Sequence, residues 1–309
     1  MVVIGTRASA LAMTQSRQVS GWLEAVQVPS ELQKIVTQGD RVTHLPLDKL
    51  AGKGFFTKEV EEALLERAVD VAVHSLKDLP SEATPGLVIE SLPAREDPRD
   101  VAVIAPHAYD ADAPVWPIAR GARIGTSAVR RKAQLAYQRP DLVPVDIRGN
   151  VPTRLAKLEA GVADVVVLAW AGVRRLQLPL AGLHVHVLSV DTFVPAPGQG
   201  MLALQCREDD ADTRTALRRL HHEQDAVLVR AERMLLGLLQ AGCHVPLGAH
   251  AERLGGDGLL RLRVFFGGDE RRAGPWRLRV EGTDPIAMAQ AAFAALERGR
   301  PHGAAVAEP

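Results

Sequence analysis

Lys77 and Asp78 are the adjacent residues of this chain whose types and position best suit chemistry. They follow the short β-branched run 69–73, which predicts a buried parallel strand, and Pro80 ends the element. Polar groups just beyond the carboxyl end of a buried strand lie where open α/β sheets bind ligands. Such a pair could exchange protons with a substrate or clamp a charged one. A capped turn with a solvated ion pair is the simpler interpretation, and these residues alone favour it.

A second group of candidates is basic. Between Arg120 and Arg154 the chain has eight basic residues and two acidic ones, although Lys plus Arg and Asp plus Glu balance at 37 each overall. Cations in the first turns of a predicted helix oppose its macrodipole, at about 0.3–1 kcal/mol each. Any one surface arginine is usually just solvated. Five at equivalent places near predicted strand ends indicate a site for an anionic ligand, and they are Arg130, Arg131, Arg148, Arg154 and Arg175.

Two strand–turn–helix segments would position such groups. Residues 2–9 predict a strand, then a polar turn that contains Arg7 and Ser9, and then the start of a helix. Residues 123–127 repeat this design before a second helix. A polar turn at a helix N-terminus is an anion-binding corner, although many αβ turns look alike.

Lys53 lies between two glycines in a stretch with no regular period. From residue 41 to residue 56 neither helical nor strand spacing holds. Loops of this length are usually lids or disordered connectors. We therefore expect a mobile lid here.

Cys243 follows Gly242 at the end of a strongly amphipathic helix predicted over 224–241. A thiol beyond a helix C-terminus meets the negative end of the dipole, which does not favour a thiolate, although a protonated His244 would act in the opposite direction. The position is poor for a nucleophile and acceptable for a thiol that carries a permanent thioether-linked group. Cys206, which alternates with an apolar neighbour, is predicted to be a small core residue.

Composition argues against several classes of protein. At 309 residues, 47% of them hydrophobic, the chain is expected to form two or three globular domains. Two cysteines cannot form a disulfide framework, and no metal-ligand spacing is present. No signal peptide and no apolar run of about 20 residues is found, so a soluble cytoplasmic protein without a membrane partner is predicted. Aromatic residues at 4% and the lack of a basic stripe argue against nucleic-acid binding.

Nine short motifs occur in a single order along the chain. They lie at residues 5–9, 52–54, 72–78, 95–100, 125–127, 130–131, 148–150, 197–200 and 242–243. Together they resemble the porphobilinogen deaminase (hydroxymethylbilane synthase) family from about residue 2 to about residue 250. As a set these motifs are highly specific, whereas the remaining residues resemble the family only in general character.

The resemblance implies an α/β fold in three domains. Two domains, 1–97 with 198–217 and 98–197, are expected to look like the halves of type II periplasmic binding proteins, with the active cleft between them. The third, 218–309, is expected to be a small C-terminal α+β domain that carries the cofactor cysteine. The tail from Arg300 is expected to be disordered.

The resemblance also implies a transferase of tetrapyrrole (haem) biosynthesis. The family joins four porphobilinogen molecules head to tail with release of ammonia. Hydrolysis then frees hydroxymethylbilane, which passes to the next tetrapyrrole enzyme. Growth takes place on a dipyrromethane cofactor, joined by a thioether to a cysteine that corresponds to Cys243. A monomer is expected.

Residue roles follow from the same resemblance. Each pyrrole carries an acetate and a propionate, so many carboxylates must be paired when they are buried. Asp78 corresponds to the carboxylate that stabilises the cationic azafulvene and the next pyrrolic cation, and that relays protons. No metal is expected. The residues expected to bind carboxylates of cofactor and substrate are Arg7, Ser9, Lys53, Lys77, Thr126, Ser127, Arg130, Arg131, Arg148, Arg154 and Arg175.

The sequence departs from the family pattern at Ala51, Trp170 and Ala241, none of which matches a catalytic side chain. An alternative class of protein stays open, a non-catalytic bilobal protein that binds an anionic solute or effector. It would account for two sheets and for the anion sites. It leaves Cys243 and the third domain unexplained.

Overall fold

The computed structural model describes residues 1–36, 57–240, 245–256 and 258–299, and the backbone alone of Ala305–Ala307. Lys53, Cys243 and the predicted lid lie outside the described residues. The chain divides into two units. The first unit is Met1–Glu96 with Gly200–Ala226, and the second unit is Asp97–Gln199 with Val227–Pro309.

Strands and helices alternate along much of the chain. In chain order the strands are β1 (Val2–Arg7), β2 (Ser30–Ile35), β3 (Val71–Ser75), β4 (Leu87–Ser91), β5 (Asp100–Ile104), β6 (Arg123–Gly125), β7 (Val143–Val145), β8 (Val165–Ala169), β9 (His184–Val187), β10 (Leu202–Arg207), β11 (Leu247–Arg253), β12 (Leu260–Phe266), β13 (Trp276–Gly282) and β14 (Ala305–Ala307). The helices are α1 (Ala10–Ala25), α2 (Lys58–Leu65), α3 (Val129–Gln138), α4 (Val151–Glu159), α5 (Trp170–Leu176), α6 (Ala211–Arg218), α7 (Glu223–Leu238) and α8 (Pro285–Arg298).

The first unit contains a five-stranded sheet in the order β2-β1-β3-β10-β4. β1 pairs in parallel with β2 and β3, while β10 runs antiparallel between β3 and β4. Apolar residues of the central strands, such as Ile4 and Val71, share a buried cluster with Val19 and Leu23 of α1. Because β1 and β3 are parallel neighbours, their carboxyl ends meet at the same edge of the sheet.

The second unit contains a sheet with the same arrangement, in the order β7-β6-β8-β5-β9. β6 pairs in parallel with β7 and β8, and β5 runs antiparallel between β8 and β9. The apolar central strands β5 and β8 are buried almost throughout, as strands covered on both faces are. The carboxyl ends of β6, β7 and β8 and the amino end of β5 therefore share one edge.

A four-stranded antiparallel sheet, β11-β12-β13-β14, also belongs to the second unit. Alternate residues of β12, such as Leu262 and Val264, form a core with Leu235 of α7 and Ala292 of α8. The last strand, Ala305–Ala307, pairs with β13. The expectation of a disordered tail is therefore wrong for these three residues.

These sheets confirm the α/β class with a small C-terminal α+β part. The division into three domains stays a prediction, because the second unit groups the β5–β9 sheet with the C-terminal sheet. The helix predicted over 224–241 ends earlier, at Leu238. Gln240, just beyond that end, takes a left-handed conformation, with φ 49°.

Candidate functional site

Asp78 lies at the carboxyl edge of the first sheet, in the 3-10 turn Leu76–Asp78 that follows β3. Leu76 anchors this turn, since its side chain is buried and its N–H donates to the carbonyl oxygen of Met201 at 3.0 Å. Lys77 is half-buried and Asp78 is exposed. The turn therefore holds the Asp78 carboxylate at the surface, directly beyond the end of a rigid strand.

Arg7 and Ser9 reach the same edge from β1. Arg7 is the last residue of β1, and it is half-buried. Ser9 caps α1, and its Oγ accepts a hydrogen bond from the N–H of Ala12 at 3.3 Å. The structure thus brings Arg7, Ser9 and the Lys77–Asp78 pair to one edge of one sheet.

Three buried polar side chains behind this edge, Gln15, His74 and Gln205, were not predicted as site residues. Nε2 of Gln15, on α1, donates to Oγ of Ser75 at 3.0 Å. Nε2 of His74 lies 3.0 Å from Oε1 of Gln205, and Nε2 of Gln205 donates to Oε1 of Glu61 at 2.9 Å. Gln15 could have been identified, because it is a polar residue on the apolar face of an amphipathic helix.

His74 is neutral at pH 7. Burial lowers the pKa of its imidazole to about 4, the hydrogen bond with Gln205 opposes that shift, and the positive charge of Arg7 adds to it. The imidazole is thus a neutral hydrogen-bonding support behind the Asp78 turn and adds no positive charge there.

Further predicted residues lie at the carboxyl edge of the β5–β9 sheet. Thr126 and Ser127 follow β6, Arg148 follows β7, and Arg175 lies in α5, which follows β8. Thr126 is buried. Oγ of Ser127 donates to the carbonyl oxygen of Ile147 at 2.9 Å and accepts from its N–H at 3.1 Å. The Ser127 hydroxyl therefore joins the ends of β6 and β7.

Arg130 and Arg131, in the first turn of α3, are more than nine-tenths buried and share one buried carboxylate, Asp100. Nη1 of Arg130 donates to Oδ2 of Asp100 at 2.7 Å, and Nη2 of Arg131 donates to Oδ1 at 2.7 Å. Burial by itself would raise the pKa of Asp100, but the two guanidiniums outweigh it and hold that pKa well below its usual range. The sequence did not predict Asp100 as a partner of these arginines.

Arg154 adds a further positive charge to this group. Its Nε, on α4, donates to the carbonyl oxygen of Gly149 at 2.8 Å. Burial, together with the positive charges of Arg131 and Arg148, lowers the pKa of Arg154 to about 10. Arg154 is therefore close enough to Arg131 and to Arg148 to be repelled by each of them. We call Arg130, Arg131, Arg148, Arg154 and Asp100 the arginine cluster.

Of the two cysteines, Cys206 lies within the described residues. Cys243 lies outside the described residues, as Lys53 does. Cys206 is fully buried in β10. Burial, with the negative charges of Glu90 and Asp210, raises the pKa of its thiol to about 12. The prediction of a core cysteine is confirmed for Cys206.

The helix that leads toward Cys243 is tied to the motif at 197–200. Glu232, on α7, is fully buried. Its carboxylate accepts from the N–H of Gly198 at 2.7 Å and from the N–H of Ala251 at 2.9 Å. This one side chain therefore joins α7, β11 and the motif within the second unit.

The described ranges contain neither a membrane-spanning helix nor a cluster of metal ligands. None of the helices in those ranges is both long and apolar enough to cross a bilayer. No group of three or more His, Cys, Asp or Glu side chains in those ranges is arranged to hold a metal ion.

Protein-family models match both parts of the chain. A model described as “Porphobilinogen deaminase, dipyromethane cofactor binding domain” matches residues 2–215 of 309. The chain belongs to the porphobilinogen deaminase family. A second model, described as “Porphobilinogen deaminase, C-terminal domain”, matches residues 226–294, a range that includes Cys243.

Porphobilinogen deaminases from several bacteria are similar to the chain over most of their length. That of Syntrophotalea carbinolica is 50% identical over 250 residues, which are 80% of this chain and 77% of the relative. That of Geobacillus kaustophilus is 43% identical over 301 residues, which are 96% of this chain and 93% of the relative. The resemblance inferred from the motifs is confirmed, and dipyrromethane is the cofactor of the matched family domain.

Solved structures with some similarity to this porphobilinogen deaminase family member include solute-binding proteins. The methionine-binding protein MetQ is 11% identical, with a TM-score of 0.43 over 71% of this chain and 89% of that chain. A Salmonella typhimurium periplasmic binding protein with high arginine specificity is 13% identical, with a TM-score of 0.39 over 71% and 90% of the two chains. At this level of similarity neither protein's ligand is assigned to the present chain.

Proposed function

We propose that this chain is a transferase that joins four porphobilinogen molecules head to tail into hydroxymethylbilane, with release of ammonia, on a dipyrromethane group attached to Cys243. Membership of the porphobilinogen deaminase family supports the reaction and the cofactor. The structural observation that supports the proposal most strongly is the arginine cluster.

The buried part of the arginine cluster has an excess of positive charge. Arg130 and Arg131 share the single carboxylate of Asp100. Holding like charges together below the surface is costly unless counter-ions arrive. Each charge-assisted hydrogen bond to a substrate carboxylate contributes about 1.5–3 kcal/mol, so a ligand with several carboxylates suits this site.

The same residues suit the dipyrromethane group, which is built from porphobilinogen and therefore carries acetates and propionates. When bound, this group supplies the pyrrole to which the first substrate is joined. Ser127 would have to exchange its bond to Ile147 for one to a carboxylate. The residues proposed to hold carboxylates of the group and the substrate are Arg7, Ser9, Lys53, Lys77, Thr126, Ser127, Arg130, Arg131, Arg148, Arg154 and Arg175.

Asp78 is the proposed catalytic carboxylate. It is exposed, and the buried Leu76 fixes the turn that carries it, so the carboxylate can approach a substrate without reorganising the strand. A carboxylate beside pyrrole N–H groups stabilises the cation that forms when ammonia leaves, and it can accept or return protons. Lys77, its neighbour, is proposed to bind a substrate carboxylate.

Cys243 is the proposed attachment point of the dipyrromethane group. The chain has two cysteines. Cys206 is unsuited, because it is buried and a thiol with a pKa of about 12 contains almost no reactive thiolate at pH 7. A thioether at Cys243 would be permanent, since a carbon–sulfur bond is not open to thiol–disulfide exchange.

We further propose that the protein acts in the cytoplasm as a monomer and passes its product to the next tetrapyrrole enzyme. Light scattering on a gel-filtration column checks the oligomeric state. We expect a mass near 33.3 kDa, that of one chain. A mass of twice that value or more would exclude a monomer.

Incubation of the purified protein with porphobilinogen tests the reaction. We expect one ammonia released for each porphobilinogen consumed, and one linear tetrapyrrole formed from each four substrates. A solute-binding protein would bind porphobilinogen and return it unchanged. Binding without consumption would therefore contradict the transferase and support that alternative.

A further inference from the structure

Asp100 lies at the centre of the arginine cluster, between two guanidiniums that repel each other. It begins β5, and its side chain is completely buried. Oδ2 accepts from Arg130, and Oδ1 accepts from both Nε and Nη2 of Arg131, at 3.1 and 2.7 Å. Nε2 of Gln199 also donates to Oδ1, at 3.2 Å. Both carboxylate oxygens are therefore occupied by groups of the protein itself.

Backbone carbonyls complete the support of the two arginines. Nη1 of Arg130 donates to the carbonyl oxygen of Val194 at 2.8 Å, and Nη1 of Arg131 donates to the carbonyl oxygen of Val167 at 2.8 Å. Together with Asp100, these bonds involve three of the five N–H groups of Arg131. They fix the plane of each guanidinium and leave the pair with a net positive charge.

We propose that Asp100 is a positioning residue, which holds Arg130 and Arg131 side by side so that their other N–H groups can bind a carboxylate of the substrate or cofactor. This inference rests on the proposed function. Carboxylate recognition by arginine depends on the orientation of the planar guanidinium as well as on its charge. Asp100 acts through the two arginines and does not itself touch the ligand.

Asp100 could orient the two arginines or could only neutralise their charge. These two roles predict opposite changes in substrate binding when the charge of Asp100 is removed. If Asp100 only offset positive charge, Asp100→Asn would make the site more positive and would strengthen binding of the anionic substrate. If Asp100 orients the arginines, Asp100→Asn weakens binding, because the amide nitrogen cannot accept a hydrogen bond and one guanidinium must turn away. The direction of the change in KM distinguishes the two roles.

The first test compares Asp100→Asn with the control Asp141→Asn. Asp141 also binds a buried arginine of the second unit, accepting from Nε and Nη2 of Arg139 at 2.8 Å each, and neither residue belongs to the arginine cluster. We expect the KM for porphobilinogen to rise about tenfold to hundredfold in Asp100→Asn, with a smaller fall in kcat. The KM of Asp141→Asn should be that of the parent. Melting curves establish that both variants are folded at the assay temperature.

A second measurement follows the attachment of the dipyrromethane group, so it does not require enzyme that already carries that group. Apo-protein, made in cells that cannot synthesise porphobilinogen, is incubated with porphobilinogen, and its intact mass is followed as the dipyrromethane group forms. We expect loading to be slowed about tenfold or more in Asp100→Asn and to be unchanged in Asp141→Asn. A purely structural role for Asp100 predicts equal loading rates in the two folded variants.

An unchanged or lowered KM in folded Asp100→Asn, with parental loading, would overturn the inference. If that variant does not fold, Asp100→Glu is used in its place, because it keeps the charge but moves the carboxylate outward by one methylene. Asp100→Glu should still raise KM, and a parental KM in this variant overturns the inference as well.

Arg148→Gln separates failure of this inference from failure of the proposed function. If Arg148→Gln raises KM and the Asp100 variants do not, only the positioning role is wrong. If none of these variants raises KM, the arginine cluster is not the carboxylate site, and both proposals fail.

Discussion

Asp78 and Asp100 differ in burial, and this difference suits the two carboxylates to different roles. Asp78 is exposed at the end of a short turn, so it can approach a substrate. Asp100 is completely buried with both oxygens occupied, so it can act only through the groups that it holds. At the scale of the residue, the exposed Asp78 therefore suits the chemistry, and the buried Asp100 suits the alignment of binding groups.

Replacing Asp78 by alanine should give a folded protein that consumes porphobilinogen about 100- to 1,000-fold more slowly, because a preorganised charge at the developing cation is lost. The free energy of unfolding should change by less than about 0.5 kcal/mol, since the side chain is exposed. Asp78→Glu, which keeps the charge, should retain more activity. Steady-state rates and melting curves check these outcomes, and turnover at the parental rate in Asp78→Ala would show that the role is wrongly assigned.

His74 should make the protein less stable in mild acid. The pKa of its imidazole is about 4 in the folded protein, against an ordinary value of 6.5, mainly because it is buried. As pH falls, the unfolded chain binds the proton first, so the stability contributed by neutral His74 is complete above pH 6.5 and is lost as pH falls toward 4. The loss over that interval is about 3 kcal/mol.

The variant His74→Gln checks this prediction, because its amide can keep a hydrogen bond to Gln205 and does not titrate. Free energies of unfolding are measured with urea at pH 7, 6, 5 and 4. The difference in the free energy of unfolding between pH 7 and pH 4 should be smaller in the variant than in the parent. The same pH dependence in both proteins would contradict a neutral, buried His74.

At the scale of the element, the proposed site residues lie at the ends of strands. Short strand-like runs followed by polar turns were enough to predict β1, β3 and β6, and parallel neighbours necessarily bring their carboxyl ends to one edge. The positions of Arg7, Asp78 and Arg148 at such edges could therefore be predicted from sequence. What could not be predicted is which groups pair there. Asp100 and Arg131 are 31 residues apart and meet because β5 runs antiparallel beside β8.

The end of α7 shows a second limit of local patterns. The apolar spacing continues through Leu239, and Gly242, the first glycine beyond it, suggested a later helix end than the structure shows. The helix ends at Leu238, and Gln240 adopts a left-handed φ of 49°, which few residues other than glycine do. Glutamine seldom adopts a positive φ, so residue type alone did not predict this helix end.

Alanine at two glycines should have opposite effects on stability. A Cβ at Gly248, on β11, would lie 2.7 Å from the carbonyl oxygen of Val194, so the backbone would have to move, at a cost of about 1–3 kcal/mol. A Cβ at Gly21, on α1, meets no atom of the described residues within 4 Å. Gly21→Ala should therefore raise the free energy of unfolding by about 0.5–1 kcal/mol, as alanine does inside a helix.

Urea unfolding of the two single variants measures both changes against the parent. The Gly21 variant serves as the control for adding one methyl group to an element that has room for it. A Gly248 variant as stable as the parent would contradict the close approach of β11 to Val194.

At the scale of the whole molecule, each unit contributes a different part of the proposed chemistry. The first unit offers an exposed carboxylate with Arg7, Ser9 and Lys77 at the same sheet edge. The second unit offers the arginine cluster and the helix that leads toward Cys243. A solute-binding protein would use the anion site, but it would have no need of a cysteine that bears a covalent pyrrole. Family membership and this division of groups both favour the transferase.

The intact mass of the purified protein tests whether Cys243 carries a dipyrromethane group. We predict that the protein is heavier than its sequence by one dipyrromethane, that the added mass survives thiol reductants, and that the protein gives the colour reaction of pyrroles with an acidic aldehyde reagent. Cys243→Ala should lose the mass, the colour and the activity together, whereas Cys206→Ala should keep all three. An intact mass equal to that of the bare sequence, in freshly made and fully active protein, would contradict the account.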